Sequence, residues 1–219
     1  MNPDVNPILV IGGGISGMTA AVEIAEVGYP VVLVEREAYL GGRVMRSYKY
    51  FPKMCPPSCG FELNVRRIRG NPRITVHTLS TVEEISGSVG EFRVRVKTNP
   101  RYVTGALSLD DNVVDQLTSE RPNDFNMGVG TTKALYYPHD AAYPALHVLD
   151  REALSDADAA TLTEVAPPGA IDLDMEEKEF WLDASAVILA TGWRPYDAGN
   201  LENLTAVEKH PGYTFIHGD

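Results

Sequence analysis

The sequence predicts an α/β fold with a central parallel sheet, and three short apolar segments are the basis for that prediction. Each is an unbroken apolar run, the pattern of a strand buried on both faces. A glycine-rich turn and a stretch of helical periodicity over residues 18–27 separate the first two runs. The chain therefore begins as strand, turn, helix and parallel strand. The three predicted buried strands are residues 7–11, 31–35 and 186–192.

The segments between these strands predict a second helix, a β-meander and a long irregular region. The meander is expected because its last strand alternates strictly between apolar and polar residues. The irregular region is acidic and rich in proline, which is typical of an insertion. In chain order we expect a helix at 61–69, strands at 73–78, 82–85 and 92–97, an insertion at about 99–170 with short helices near Ala134 and at 151–160, and strands at 171–175 and 180–182.

Composition and charge exclude several classes of protein. The 219 residues carry a net charge of −11, which disfavours nucleic acid as a partner because phosphate binding needs a basic surface. No apolar run approaches the roughly 20 residues of a membrane-spanning helix, so no direct membrane insertion is expected. Two cysteines and the lack of a secretory signal at the start predict a cytoplasmic protein. Residues 105–219 hold 21 of the 30 acidic side chains, either as a solvated face or as a docking surface for a basic partner.

A glycine motif after the first strand predicts a dinucleotide site. Gly12 permits a tight turn, Gly14 lets backbone N–H groups approach a pyrophosphate, and Gly17 lets the helix pack against the strand. Glu35 ends the second strand eighteen residues beyond Gly17, where an acid can accept the hydroxyls of an adenosine ribose. The predicted contacts are Gly12, Gly14, Ile15, Ser16 and Gly17 at the turn, with Glu35 and Arg36 at the ribose.

A second glycine pair, Gly41-Gly42, follows Glu35 by only six residues. This spacing resembles the glutathione-reductase-like flavoproteins, and the resemblance implies FAD rather than NAD. It also implies a Rossmann-like FAD-binding domain over residues 1–219, incomplete at its C-terminus. Arg43 is expected either to bind pyrophosphate or to cap a turn. The resemblance further implies adenine contacts from the Val82 backbone and a third cofactor segment at Ala190, Thr191 and Gly192.

Longer motifs spread over residues 7–198 carry a closer resemblance. They include Phe51-Pro52-Lys53-Met54-Cys55-Pro56-Pro57-Ser58-Cys59-Gly60, Pro100-Arg101-Tyr102-Val103, Lys133-Ala134-Leu135-Tyr136-Tyr137-Pro138 and Gly192-Trp193-Arg194-Pro195-Tyr196-Asp197. These motifs resemble the A-type subunit of the quinone-interacting membrane-bound oxidoreductase complex of sulfur-metabolising prokaryotes and, more widely, the A-type subunit of heterodisulfide reductase.

That resemblance implies electron transfer through FAD between a membrane quinone pool and adenylylsulfate reductase. The implied partners are further flavin, iron–sulfur and membrane subunits, through which the chain would lie at the inner membrane. Heterodisulfide reductase relatives carry cysteine-rich iron–sulfur segments, whereas this chain has no cysteine after Cys59, so no metal site is expected. Residues 215–219 faintly resemble the Gly-Asp pair that contacts the flavin ribitol in this superfamily.

The two cysteines, Cys55 and Cys59, leave several alternatives open. They can form a redox pair that exchanges electrons with a flavin, lie in a loop packed near the isoalloxazine, or serve structure alone. Two thiols cannot by themselves complete a tetrahedral metal site. A pyridine nucleotide-disulfide-type flavoenzyme using this pair is therefore one alternative function. A truncated scaffold that holds no flavin is another.

Overall fold

A computed structural model describes residues 5–49, 51–105, 111–193 and 196. The predicted flavin-ribitol contact at 215–219 and the motif residues Arg194, Pro195 and Asp197 lie outside these residues. The described elements are β1 (Ile8–Ile11), α1 (Ile15–Glu26), β2 (Val31–Val34), α2 (Ser58–Gly70), β3 (Ile74–His77), β4 (Ser80–Ser88), β5 (Glu91–Thr98), α3 (Asp111–Gln116), β6 (Glu120–Pro122), β7 (Thr131–Lys133), β8 (Leu135–Tyr136), β9 (Val148–Leu149), α4 (Asp156–Val165), β10 (Lys178–Ala184) and β11 (Ala186–Leu189), with a 3-10 turn at Gly42–Arg46.

The predicted parallel sheet is confirmed, with four strands in the order β11-β1-β2-β3. All four residues of β2 are buried, as their unbroken apolar run predicts. The third apolar run is less buried than predicted: Ile188 packs on the helix side and Val187 on the meander side, but both are only partly buried. Within the described residues β11 has a neighbour on one side only, and Leu189 at its end is 71% exposed.

The two faces of the sheet carry different partners. Alternate strand residues point to opposite faces, so Val10 and Leu33 pack against α1 and α2. Leu9 and Val32 face the antiparallel meander, whose strand order is β10-β5-β4. On the central strand of the meander, the inward residues Val94 and Val96 are fully buried. The sheet therefore has helices on one face and the meander on the other.

Helix α2 begins at Ser58, three residues before the predicted start, so Cys59 lies in its first turn. The helix carries a basic face formed by Arg66, Arg67 and Arg69, and Arg67 is paired with acidic side chains. Arg67 forms ion pairs with Glu23 and Glu26 of α1, at 2.8 and 2.7 Å. These contacts tie the two helices together along the face that turns away from the sheet.

The insertion is ordered around its own apolar cluster, which includes Leu117, Leu135 and Leu162. The helix predicted near Ala134 is wrong. Ala134 lies between β7 and β8, where its N–H donates to Ser119 and its carbonyl accepts from Asp150. Non-local pairing of this kind overrides a weak local preference. The helix predicted at 151–160 is present but shifted, as α4.

A buried carboxylate organises the insertion. Asp158 is 5% exposed and accepts hydrogen bonds from the backbone N–H groups of Thr118 and Ser119, at 3.0 and 2.6 Å. Its own N–H is capped by the Ser155 hydroxyl at the start of α4. A hydrogen bond from the Ser119 side chain, together with those from the two backbone N–H groups, lowers the pKa of Asp158 to about 2, against the opposing effect of burial. The ionised carboxylate thus joins α4 to the segment that precedes β6.

We expect Asp158→Asn to lower the free energy of unfolding by about 2 kcal/mol at pH 7, because both N–H groups donate to the same carboxylate oxygen and a neutral amide oxygen accepts weaker hydrogen bonds than a charged one. The native pKa lies below the ordinary value, so the carboxylate stabilises above about pH 4, and this stabilisation is lost as the pH falls toward 2. Urea unfolding between pH 2 and 7 measures the difference.

Asp156→Asn is the matched control, because Asp156 is an exposed acid in the same first turn. It should change the stability by less than about 0.5 kcal/mol. Equal losses for the two variants at pH 7, or an Asp158→Asn loss that persists at pH 2, would contradict the assigned role of the carboxylate.

Candidate functional site

The turn after β1 is closed by backbone contacts that leave no room for side chains. Gly12 has a φ of +106°, and a Cβ atom there would meet the carbonyl of Ala190. A Cβ atom on Gly17 would meet the carbonyl oxygen of Gly12. The Gly12 N–H also donates to the Val34 carbonyl at 2.8 Å. The tight turn and the close helix packing predicted for these two glycines are therefore present.

The two central glycines of the turn have different surroundings. No atom lies within 4 Å of the position that a Cβ on Gly14 would take, and its φ of −69° suits any residue. A Cβ on Gly13 would meet Leu40 at 2.5 Å and the Glu35 side chain at 2.9 Å. The fold itself therefore requires glycine at position 13, whereas position 14 borders open space.

This open space lies at the N-terminus of α1. Gly14 is the N-cap residue and provides no side-chain hydrogen bond to the helix. The first backbone N–H groups of a helix have no partner within it, and they carry its positive dipole end. Ile15 and Ser16 are the first two helical residues, and Ser16 is exposed. The geometry is that of an anion-binding helix end with space for the anion.

The second glycine pair lies directly against the first motif. The Gly41 N–H donates to the Gly13 carbonyl at 2.8 Å, and Gly14 and Gly41 form a parallel β-bridge. A Cβ on Gly42 would come within 3.1 Å of the Gly14 Cα. Both Gly41 and Gly42 have positive φ angles. The structure thus brings the two predicted glycine segments together.

The third predicted segment completes this arrangement. The Ala190 N–H donates to the Ile11 carbonyl at 2.8 Å, and a Cβ on Gly17 would come within 3.3 Å of the Ala190 Cβ. Thr191 and Gly192 follow directly, and Gly192 has a φ of +73°. Beyond them, the ring of Trp193 lies 4.6 Å from the guanidinium carbon of Arg43. The sequence did not predict this contact.

Glu35 lies beside the first turn, as predicted, and is 7% exposed. Its carboxylate accepts from the Gly13 N–H at 2.5 Å and from the Glu37 N–H at 2.8 Å. Burial raises the pKa of Glu35, and the two hydrogen bonds partly offset that rise. Each oxygen keeps a second lone pair that can accept a hydroxyl. The neighbouring Arg36 is largely exposed and forms an ion pair with Glu37 at 3.5 Å.

Val82 lies on β4, at the edge of the described meander. The β4–β5 register skips Glu83 between Val82 and Glu84, which is a β-bulge. An edge strand has backbone groups on one side without a ladder partner. The Val82 side chain packs into the core between the meander and the sheet. Its proposed backbone contact with adenine stays a prediction.

The two cysteines lie outside the three glycine-bearing segments, with Cys55 ahead of α2 and Cys59 in its first turn. Both thiols are free, with Cys55 half-buried and Cys59 exposed. Phe61 follows Cys59 by two residues, and its ring lies 3.0 Å from the position of a Cβ on Gly41. The first turn of α2 therefore adjoins Gly41. No cluster of metal-ligating side chains occurs among the described residues.

Sequence reasoning missed the role of Gly13 and the buried side chain of Arg101. A run of three glycines signals a tight turn but does not say which glycine packs against which neighbour. Arg101 belongs to the Pro-Arg-Tyr-Val motif, but nothing in that motif assigns it a role.

No helix in the described part of the chain is long and apolar enough to cross a membrane.

Several known proteins are similar to this chain in sequence. Relatives include a CoB–CoM heterodisulfide reductase iron-sulfur subunit, of the A type, from Methanopyrus kandleri, 34% identical over 90% of this chain and 30% of that protein. Another is the A-type subunit of a ferredoxin/F420H2-dependent CoB-CoM heterodisulfide reductase from Methanosarcina acetivorans, 34% identical over 87% of this chain and 24% of its own length. The chain thus spans less than a third of these relatives.

Among solved structures, L-proline dehydrogenase from P. horikoshii aligns over 87% of this chain and 43% of its own, with 19% identity and a TM-score of 0.41. The family model for FAD dependent oxidoreductases matches residues 7–192, which include all three glycine-bearing segments of the site. The chain therefore belongs to the FAD dependent oxidoreductase family.

Proposed function

We propose that FAD binds across the carboxyl ends of β1, β2 and β11. The convergence of three separate sequence segments around the open space at Gly14 is the observation that carries this proposal. The pyrophosphate would take that space, where the N-terminus of α1 and the Gly41–Gly42 backbone face it. The proposed contacts are Gly12, Gly14, Ile15, Ser16, Gly17, Glu35, Arg36, Gly41, Gly42, Arg43, Val82, Ala190, Thr191 and Gly192.

Within this site the chain's own groups would bind the cofactor and orient it. The free lone pairs of the buried Glu35 carboxylate would accept the ribose hydroxyls, and the Arg43 guanidinium lies at the end of the second glycine segment. The flavin, when bound, supplies the transfer of one or two electrons, and the protein tunes its potential. No general acid or base is needed for such a carrier. The site therefore suits electron transfer rather than group transfer.

We further propose that the chain acts as an electron-transfer subunit, or part of one, in a larger complex. The relatives are named as subunits of heterodisulfide reductases, and this chain spans only part of their length. The finer assignment is the quinone-interacting complex that exchanges electrons with adenylylsulfate reductase, with flavin, iron–sulfur and membrane subunits as partners. The motifs over residues 7–198 that resemble the A-type subunit of that complex are what supports this finer assignment.

Gly14→Ala tests the site with little disturbance of the fold. The added methyl group enters open space at an ordinary backbone angle, so the apoprotein should unfold with a free energy within about 0.5 kcal/mol of wild type. Because the methyl group occupies the space assigned to the pyrophosphate, FAD affinity should fall at least about a hundredfold, or about 2.7 kcal/mol. Fluorescence titration with FAD and urea unfolding measure the two quantities.

Gly70→Ala is the control, since it also adds a methyl group in open space but at the far end of α2. It should leave FAD affinity unchanged. Gly13→Ala should instead destabilise the apoprotein by about 1–3 kcal/mol through overpacking against Leu40 and Glu35. If the Gly14→Ala variant binds FAD as tightly as wild type, this result would contradict the assignment of the pyrophosphate to this space.

The cysteines favour a second candidate function, an internal dithiol that exchanges electrons with the flavin. The exposed Cys59 lies in the first turn of α2, four residues beyond Cys55, and both thiols are free. Reducing a Cys55–Cys59 disulfide would cleave the S–S bond and consume two electrons and two protons, delivered by reduced FAD. This is the chemistry of the disulfide-type flavoenzymes.

We therefore expect that the oxidised wild-type protein takes up two electrons more per chain than its flavin alone requires. The Cys55→Ser/Cys59→Ser double variant should take up only the electrons of the flavin. Anaerobic dithionite titration followed at the flavin absorption band measures both. Identical electron uptake by the two proteins would remove the redox role and leave the cysteines as packing residues.

A further inference from the structure

Arg101 is a buried cation that has no carboxylate partner among the described residues. Its side chain belongs to a residue only 9% exposed, and burial lowers its pKa. The described arginines Arg67 and Arg121, in contrast, each bind two carboxylates. A buried charge held only by neutral acceptors costs free energy, and its position therefore calls for an explanation.

The guanidinium group joins two parts of the molecule. Its Nη2 donates to the Ala38 carbonyl and to the Thr78 hydroxyl, each at 2.9 Å. Its Nη1 lies on the insertion side, 3.4 and 3.5 Å from the carbonyls of His147 and Leu146. One side of the group thus holds chain segments that leave β2 and β3, and the other side holds the insertion.

The segment from Glu35 to Gly41 links the ribose acid to the second glycine pair, and Arg101 binds its middle. Backbone groups hold the rest: the Glu35 N–H donates to His77, the Glu37 carbonyl accepts from Leu79, and the Leu40 N–H donates to the insertion residue Tyr143. The Ala38 carbonyl is bound by a side chain instead. The planar guanidinium is suited to this task because its donors lie in a fixed fork.

We propose that Arg101 is a positioning residue for the adenosine half of FAD. It fixes the distance between Glu35 and Gly41 through Ala38 and Thr78, and it makes the insertion a structural part of the cofactor site through Leu146 and His147. This inference rests on the FAD site proposed above. The inference also predicts that a substitution of Arg101 changes both the affinity for FAD and the order of residues 36–41.

Arg101→Met keeps most of the side-chain volume and removes the charged donors. Affinity for FAD should fall at least about tenfold, and affinity for ADP, which contains only the adenosine half, should fall by the same factor. Arg101→Lys keeps the positive charge but not the planar set of guanidinium donors, so the affinity of this variant for FAD should lie between those of Arg101→Met and wild type. Titration calorimetry gives both affinities, and amide hydrogen exchange reports the order of residues 36–41 in the apoprotein.

Arg121→Met is the matched control. Arg121 is also a largely buried arginine, but it binds Asp150 and Asp124 within the insertion and forms no hydrogen bond with residues 35–41 among the described contacts. It should change FAD affinity by less than about twofold, even where it lowers stability. A general loss of stability would affect both variants, whereas positioning affects only the Arg101 variants.

Unchanged FAD affinity and unchanged exchange of residues 36–41 in both Arg101 variants would overturn the inference while leaving the FAD site intact. Equal weakening by Arg121→Met would also overturn it. Wild-type protein that binds neither FAD nor ADP would overturn the proposed site together with the inference. Should Arg101→Met fail to fold, Arg101→Lys decides the matter by the same two measurements.

Discussion

At the carboxyl end of β1 the chain turns so tightly that neither Gly12 nor Gly17 has room for a Cβ atom, and the rest of the site depends on this contact. The turn brings the backbone of Ala190 against Gly12 and sets the start of α1. It also places Gly13 where its N–H and carbonyl bind Glu35 and Gly41. Three segments that are far apart in sequence can contact each other here because the glycines of this turn carry no side chains.

The electrostatics of the site follow from that geometry. The first N–H groups of α1 have no partner within the helix and face an open space, and among the described residues no side chain caps them. The acid beside this turn, Glu35, is buried and directed at backbone N–H groups. An open helix N-terminus with a buried acid beside the same turn would suit the dinucleotide proposed above, whose two phosphates need a positive site and whose ribose needs an acceptor. The second glycine pair extends the same surface.

The sequence predicted the parts of this structure that local chemistry decides. Glycine spacing and apolar runs were sufficient for the sheet and α1, and the family resemblance pointed to the second and third glycine-bearing segments, which the structure brings against the first. Tertiary contacts decided the rest: Ala134 pairs with distant strands instead of forming a helix, and Leu189 is exposed because β11 lies at the described sheet edge. The bonds of Arg101 to Ala38 and Leu146 join residues 63 and 45 positions away, which no spacing rule anticipates.

The visible absorption spectrum of the purified chain tests the central claim most directly, with the flavin identified after denaturation. The account predicts a flavin spectrum, release of FAD rather than FMN, and close to one FAD per chain after incubation with the cofactor. A folded protein that stays colourless and takes up no added FAD would contradict the account. The converging glycine segments would then serve the fold alone, and the chain would be a scaffold that holds no flavin.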